Sequence, residues 1–281
     1  SRCHRCSHKH DTMSAVTVVA GVYAACGILG MTLLGFRVSL HVSGKAPITA
    51  HTVGAILGLG FAGVFASIGL AQDPSILTMD KLAFVWHPMC MAAATTSLIP
   101  PAFDLVAIRH QPKARKIGEV LVMAHAALQW FSVFASAAGF VTIYSLKPEG
   151  KHFLSLHSWV GALALGLMLL NTLGGAAKSA MIGGLRWRDA IHRAAGSLAF
   201  SVMCGATATG MYNKVLVLPD GWGGALAQPN ATWLEPGKTW LFTQLEPRMV
   251  YALLGLLALI KLLVLYPRPS PGISTSHAKG E

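Results

Sequence analysis

The sequence predicts an all-α, polytopic transmembrane helical bundle, and three observations carry that expectation. Hydrophobic residues are 53% of the 281, while charged residues are 12%, about half the share found in soluble domains. Mean hydropathy is +0.55, and too little charge remains to cover a soluble globule. Seven apolar stretches, at 14–36, 48–71, 83–108, 118–146, 154–177, 190–212 and 248–266, are each long enough to span. A hydrocarbon core of about 30 Å takes about 20 helical residues, whereas barrel strands would be about half as long and would alternate. Finally, the net charge of +11 sits mostly in short connections between apolar runs, as membrane orientation requires. Nucleic acid is therefore not the expected partner; membrane lipid is.

Residues 1–13 read as a mobile basic tail. Cys3 and Cys6 form a C-x-x-C beside His4, His8 and His10, but Ser7 stands where a c-type haem site has His. A zinc clip lacks a well-spaced second half, and the tail also reads as the remnant of a processed targeting segment. The first apolar stretch, 14–36, carries Ala20, Gly21, Ala24, Gly27, Gly30 and Gly35. Small residues at three- and four-residue spacings let membrane helices approach closely. The stripe is expected to dock a partner or a second copy, or else to pack on this chain's own second helix.

The connections alternate in charge. Those at 37–45, 109–116 and 178–193 are basic, and those at 73–81, 147–151 and 214–246 are near neutral. The positive-inside rule places the basic set on the inner side, with the N-terminus outside and the C-terminal tail, 267–281, inside. The sequon Asn230-Ala231-Thr232 falls on the outer side. In the third stretch, adjacent Pro100 and Pro101 should kink the helix, with neighbouring groups satisfying the freed backbone. Asp104 is the carboxylate lying deep in a span, near its inner end.

Each of four consecutive stretches, from 83–108 to 190–212, carries one histidine near its start: His87, His125, His157 and His192. Polar side chains in a bilayer are costly and usually functional. Alternating helix direction puts His87 and His157 at one depth near the outer face. It puts His125 and His192 at another near the inner face. Two imidazoles at each of two depths suit two bis-histidine haems, with irons roughly 14–22 Å apart along the membrane normal at about 1.5 Å per residue. Gly161 and Gly196 lie four residues after His157 and His192, on the same helix faces, where a flat ring needs room. Interhelical hydrogen bonding and a proton relay are the other membrane uses of histidine.

Ser155-Leu156-His157-Ser158-Trp159 reads like an S-L-H-S-W signature, and Phe84-Val85-Trp86-His87-Pro88 is similar to F-N-V-H-P. On these motifs the chain resembles the eukaryotic cytochrome b561 family over about 48–266, a six-helix unit to which 14–36 adds an extra N-terminal helix. The resemblance implies a transmembrane, ascorbate-dependent oxidoreductase with two b haems, His87 and His157 outside and His125 and His192 inside. It implies electron flow from inner ascorbate to outer monodehydroascorbate or ferric chelate. Leu154 replaces the Tyr that precedes S-L-H-S-W, and 106–110 carries one Arg where the family has an arginine-rich helix end. Lys113, Arg115, Lys116, Arg186 and Arg188 remain to attract an inner anion. The alternative reading is a haem-bearing accessory subunit of a larger membrane assembly, or a homodimer, in an organelle or endomembrane. A solute transporter would call for an inverted repeat, and none is visible.

Overall fold

A computed structural model of the chain describes residues 3–72, 84–109, 112–147, 149, 152–153, 155–182, 189–215 and 247–265. Its elements are α1 (Cys3–Val42), α2 (Ala50–Gln72), α3 (Trp86–Ala92), a π-helical segment (Ala93–Leu98), α4 (Ile99–Ile108), a 3-10 segment (Pro112–Ile117), α5 (Gly118–Leu146), α6 (Leu156–Ile182), α7 (Ala190–Val215) and α8 (Pro247–Leu265). Among the described residues there is no strand, and seven helical spans are long and apolar enough to cross a bilayer. Helix is the form in which an apolar run satisfies its own backbone groups without water. The protein is an integral, multi-pass membrane protein with the expected helical-bundle fold.

The third span, Trp86–Ile108, is the centre of the bundle: 78% of its apolar window is buried, against at most 39% in any other. It is wrapped by α1, α2 and α5. Pro100 and Pro101 sit in the first turn of α4, where their missing N–H groups leave the carbonyls of Thr96 and Ser97 without helical donors. The chain takes up this break as the π-helical turn directly before it, so the expected kink is a widened helix. Neighbours close on the freed backbone. A Cβ at Gly58 of α2 would lie 2.1 Å from the Thr96 oxygen, so no side chain but hydrogen fits there. Gly30 of α1 also borders this segment, its Cβ position in ordinary van der Waals contact, 3.5 Å, with the Ser97 oxygen. Ser132 Oγ of α5 donates to the Ala94 oxygen at 3.1 Å.

α1 is longer than the sequence suggests. It begins at Cys3, within the expected tail, and continues to Val42 through the stretch expected as a basic loop. The side chains of the Cys/His tail lie outside the described ones. The reason for the C-terminal extension is Arg37, which is 4% exposed and paired with Asp104 of α4. A membrane helix can carry an arginine inward when an acid meets it. Gly44, at φ +63°, then ends the helix, with Lys45 and Ala46 N–H groups donating back to the Leu40 oxygen.

One face of α1, through Val16, Val19, Ala20, Cys26, Gly30, Arg37 and Leu40, is buried. It packs on the third span and α5 more than on α2, which differs from the second-helix packing weighed above. Tyr23 meets Trp86 edge-on, with ring centroids 6.1 Å apart. Gly21, Gly27 and Gly35 lie on the other side, where an added Cβ would meet nothing within 4 Å.

Candidate haem-binding sites

Two helical pairs frame a seam. α5 packs along the third span, and α6 packs most closely on α7, while α5 and α6 touch more sparingly. The four histidines line this seam. His87 is the second residue of α3 and His157 the second of α6; their ring centroids lie 6.0 Å apart with planes at 81°. His125 of α5 and His192, the third residue of α7, stand 6.5 Å apart with planes at 78°. The helix directions therefore bring together the same pairs that the alternating topology pairs.

Three of the imidazoles are held from outside the seam. His87 Nδ1 bonds the Gly139 carbonyl of α5 at 2.9 Å, His125 Nδ1 the Ala102 carbonyl of α4 at 3.0 Å, and His157 Nδ1 the Ala206 carbonyl of α7 at 2.9 Å. A carbonyl fixes Nδ1 as the protonated nitrogen and leaves Nε2 as the lone-pair donor, the usual support of a metal-bound imidazole. These bonds also measure depth. Gly139 is fourteen residues beyond His125 along α5, and Ala206 is fourteen beyond His192 along α7. Both give about 21 Å between the two levels at 1.5 Å per residue, within the range read from the sequence. Between the levels the seam is closed by Ser132 of α5, which touches Met168 Sδ of α6 at 3.5 Å.

The residues present fit haem. Imidazole nitrogen binds a transition metal at about 2.0–2.1 Å, so two rings on opposite sides of one metal have centroids about 6 Å apart. Both observed separations match. Among the described residues no three His, Cys, Asp or Glu side chains gather. A bare pair of imidazoles suits a group whose macrocycle supplies the equatorial ligands itself.

Glycines on the facing helices shape the imidazole positions. A Cβ at Gly210 would lie 2.8 Å from His157 Cε1, and one at Gly175 would lie 3.0 Å from His192 Cε1. Each is on the helix facing its histidine, so no spacing within one helix reveals it. Gly161 has open space, with nothing within 4 Å of its Cβ position. Gly196 instead admits the Asn171 amide of α6, 3.1 Å from its Cβ position.

At the end of the bundle nearest His125 and His192, Lys116 is exposed in the 3-10 segment. Arg186, Arg188 and the side chains of Lys113 and Arg115 lie outside the described residues, as does Asn230. Lys178 of α6 donates to Asp189, the residue before α7. This bond, with the Ile191 N–H behind it, holds the Asp189 carboxyl below the usual carboxylate range. At the end nearest His87 and His157, Tyr144 stacks on His152 with ring centroids 4.1 Å apart, and Phe153 links Phe140 to Trp159.

A family model of eukaryotic cytochrome b561 matches residues 86–218, which contain all four histidines. Over this stretch, just under half of its length, the chain is similar to the eukaryotic cytochrome b561 family. Proteins of that family are transmembrane oxidoreductases that use haem b for electron transfer. The match begins at the first residue of α3, so α1, α2 and α8 flank it. No curated protein and no solved structure matches the chain.

Proposed function

We propose that this chain is a cytochrome b561 that carries electrons through two b haems, one between His87 and His157 and one between His125 and His192. The donor is ascorbate or a similar reductant on the side of the basic loops. The acceptor is monodehydroascorbate or a ferric chelate on the other side. The observation that carries this reading is the pair of imidazole separations, 6.0 and 6.5 Å, at two levels of one seam.

Haem b, when bound, supplies reversible one-electron chemistry. The chain's part is placement. Gly139, Ala102 and Ala206 carbonyls orient three of the rings. Gly161 leaves room on the His157 face, whereas the space beside Gly196 takes the Asn171 amide. The two levels are close enough for transfer without a mobile carrier. Lys113, Arg115, Lys116, Arg186 and Arg188 raise the local concentration of an anionic donor.

A second reading, an accessory subunit of a homodimer or larger membrane complex, is favoured by α1. It adds a helix outside the matched unit, and its Gly21, Gly27 and Gly35 face away from the bundle. One experiment separates the two readings. Purified protein is assayed for haem per chain by pyridine haemochrome and then mixed with ascorbate. Two haems per chain and rapid appearance of the reduced α-band support the first reading. Two haems that ascorbate fails to reduce favour the second, and one haem per chain defeats the pairing.

A further inference from the structure

We propose that Asp189 is a positioning residue for the inner haem, holding His192 in register between α6 and α7. This rests on the reading of His192 as an inner axial ligand. Asp189 immediately precedes α7, and its Oδ1 accepts the Ile191 N–H at 2.8 Å and the His192 N–H at 3.4 Å. Aspartate at this position satisfies helix N–H groups that otherwise have no partner, and His192 stands in this first turn, where helices fray. Arg193 Nε donates to the Asp189 backbone carbonyl at 3.3 Å and closes the same turn.

The second carboxylate oxygen does a different job. Oδ2 accepts Lys178 Nζ from the end of α6. Lys178 lies three residues beyond Gly175, on the same face of α6. Gly175 is the wall against which the His192 ring rests, its Cβ position 3.0 Å from Cε1. One carboxylate thus fixes the ligand's own backbone N–H and the helix that backs its ring. His87, His125 and His157 are braced through an imidazole–carbonyl bond; at His192 the Asp189 carboxylate adds a restraint through the backbone.

Solvent-accessible ion pairs often contribute little, and the Lys178 and Asp189 side chains are 37% and 17% exposed. A plain surface pair and a positioning pair differ in what they do to the metal. The test uses the full, haem-loaded chain in detergent, with the outer haem as internal control. Asp189→Ala is expected to shift the midpoint potential and the low-spin resonance of the inner component, leaving the outer component as in wild type. Asp189→Asn keeps a capping oxygen and is expected to recover most of the shift. Lys178→Met, which removes the tie to α6 and leaves the Asp189 cap in place, is expected to give a smaller shift of the same sign.

The proposal is overturned if Asp189→Ala leaves the inner potential and resonance unchanged. It is also overturned if both haems change together, or if Asp189→Asn is as perturbed as Asp189→Ala. Failure of the underlying ligand assignment is seen separately, as retention of the inner component in His192→Ala.

Discussion

Arg37 of α1 and Asp104 of α4 form a buried ion pair, Nε to Oδ2 at 2.7 Å, with both side chains at most 4% exposed. Thr49 and Thr52 both donate to Asp104 Oδ1, at 3.0 and 2.9 Å, and Arg37 also reaches Thr52 Oγ1 and the Pro47 carbonyl. Asp104 lies two residues past Ala102, whose carbonyl braces His125. The helix outside the matched unit is therefore tied to the element that supports an inner histidine. Fourteen residues earlier on α1, Tyr23 meets Trp86 beside His87. α1 thus touches the surroundings of both sites.

Removing one member of a buried pair leaves the other charge without a partner, at a cost of about 3–5 kcal/mol. Asp104→Ala should therefore lower the thermal midpoint of the detergent-solubilised protein substantially, read by loss of helical circular dichroism. The double variant Arg37→Leu with Asp104→Leu should recover most of it. Equal stability of Asp104→Ala and wild type would mean that α1 is held by apolar packing alone.

Ligand removal gives paired outcomes. His87→Ala or His157→Ala should each abolish the outer spectral component, and His125→Ala or His192→Ala the inner one. Ring planes near 80° in both pairs should give strongly anisotropic low-spin resonances in the oxidised protein. The pairing is wrong if His87→Ala and His125→Ala remove the same component.

Three glycine-to-alanine substitutions test the packing. Gly58→Ala places a Cβ 2.1 Å from the Thr96 oxygen, a backbone atom with little freedom to yield. Overpacking of this kind costs about 1–3 kcal/mol or more, so heat stability should fall. Gly210→Ala crowds the His157 ring at 2.8 Å and should alter the outer haem spectrum first. Gly161→Ala meets no protein atom, so a changed outer spectrum in that variant would report the haem itself.

Sidedness follows from the loop charges. Lys116 and Glu149 are both exposed, whereas Ala114 is fully buried and a poor labelling site. In sealed, oriented vesicles, Lys116→Cys and Glu149→Cys should react with a membrane-impermeant thiol reagent from opposite sides. Labelling of both from one side would contradict the alternating arrangement of basic and neutral loops.

The sequence by itself determined the membrane class, the seven spans and the two histidine levels. A bilayer of fixed thickness turns these into one-dimensional facts: run length sets a span, and distance from its end sets a depth. Arg37 was misplaced by that logic, because an arginine in a run reads as its boundary until its acid is known, and Asp104 is 67 residues away. The tertiary structure alone decided which carbonyls brace the His87, His125 and His157 imidazoles and which glycines face the His157 and His192 rings. His157 takes the Ala206 carbonyl and Gly210, about 50 residues on, and His192 rests on Gly175 of the preceding helix. Those partners depend on which helices are neighbours and how each is rotated about its axis. Both are fixed by packing across the bundle, and no spacing within a single helix encodes them.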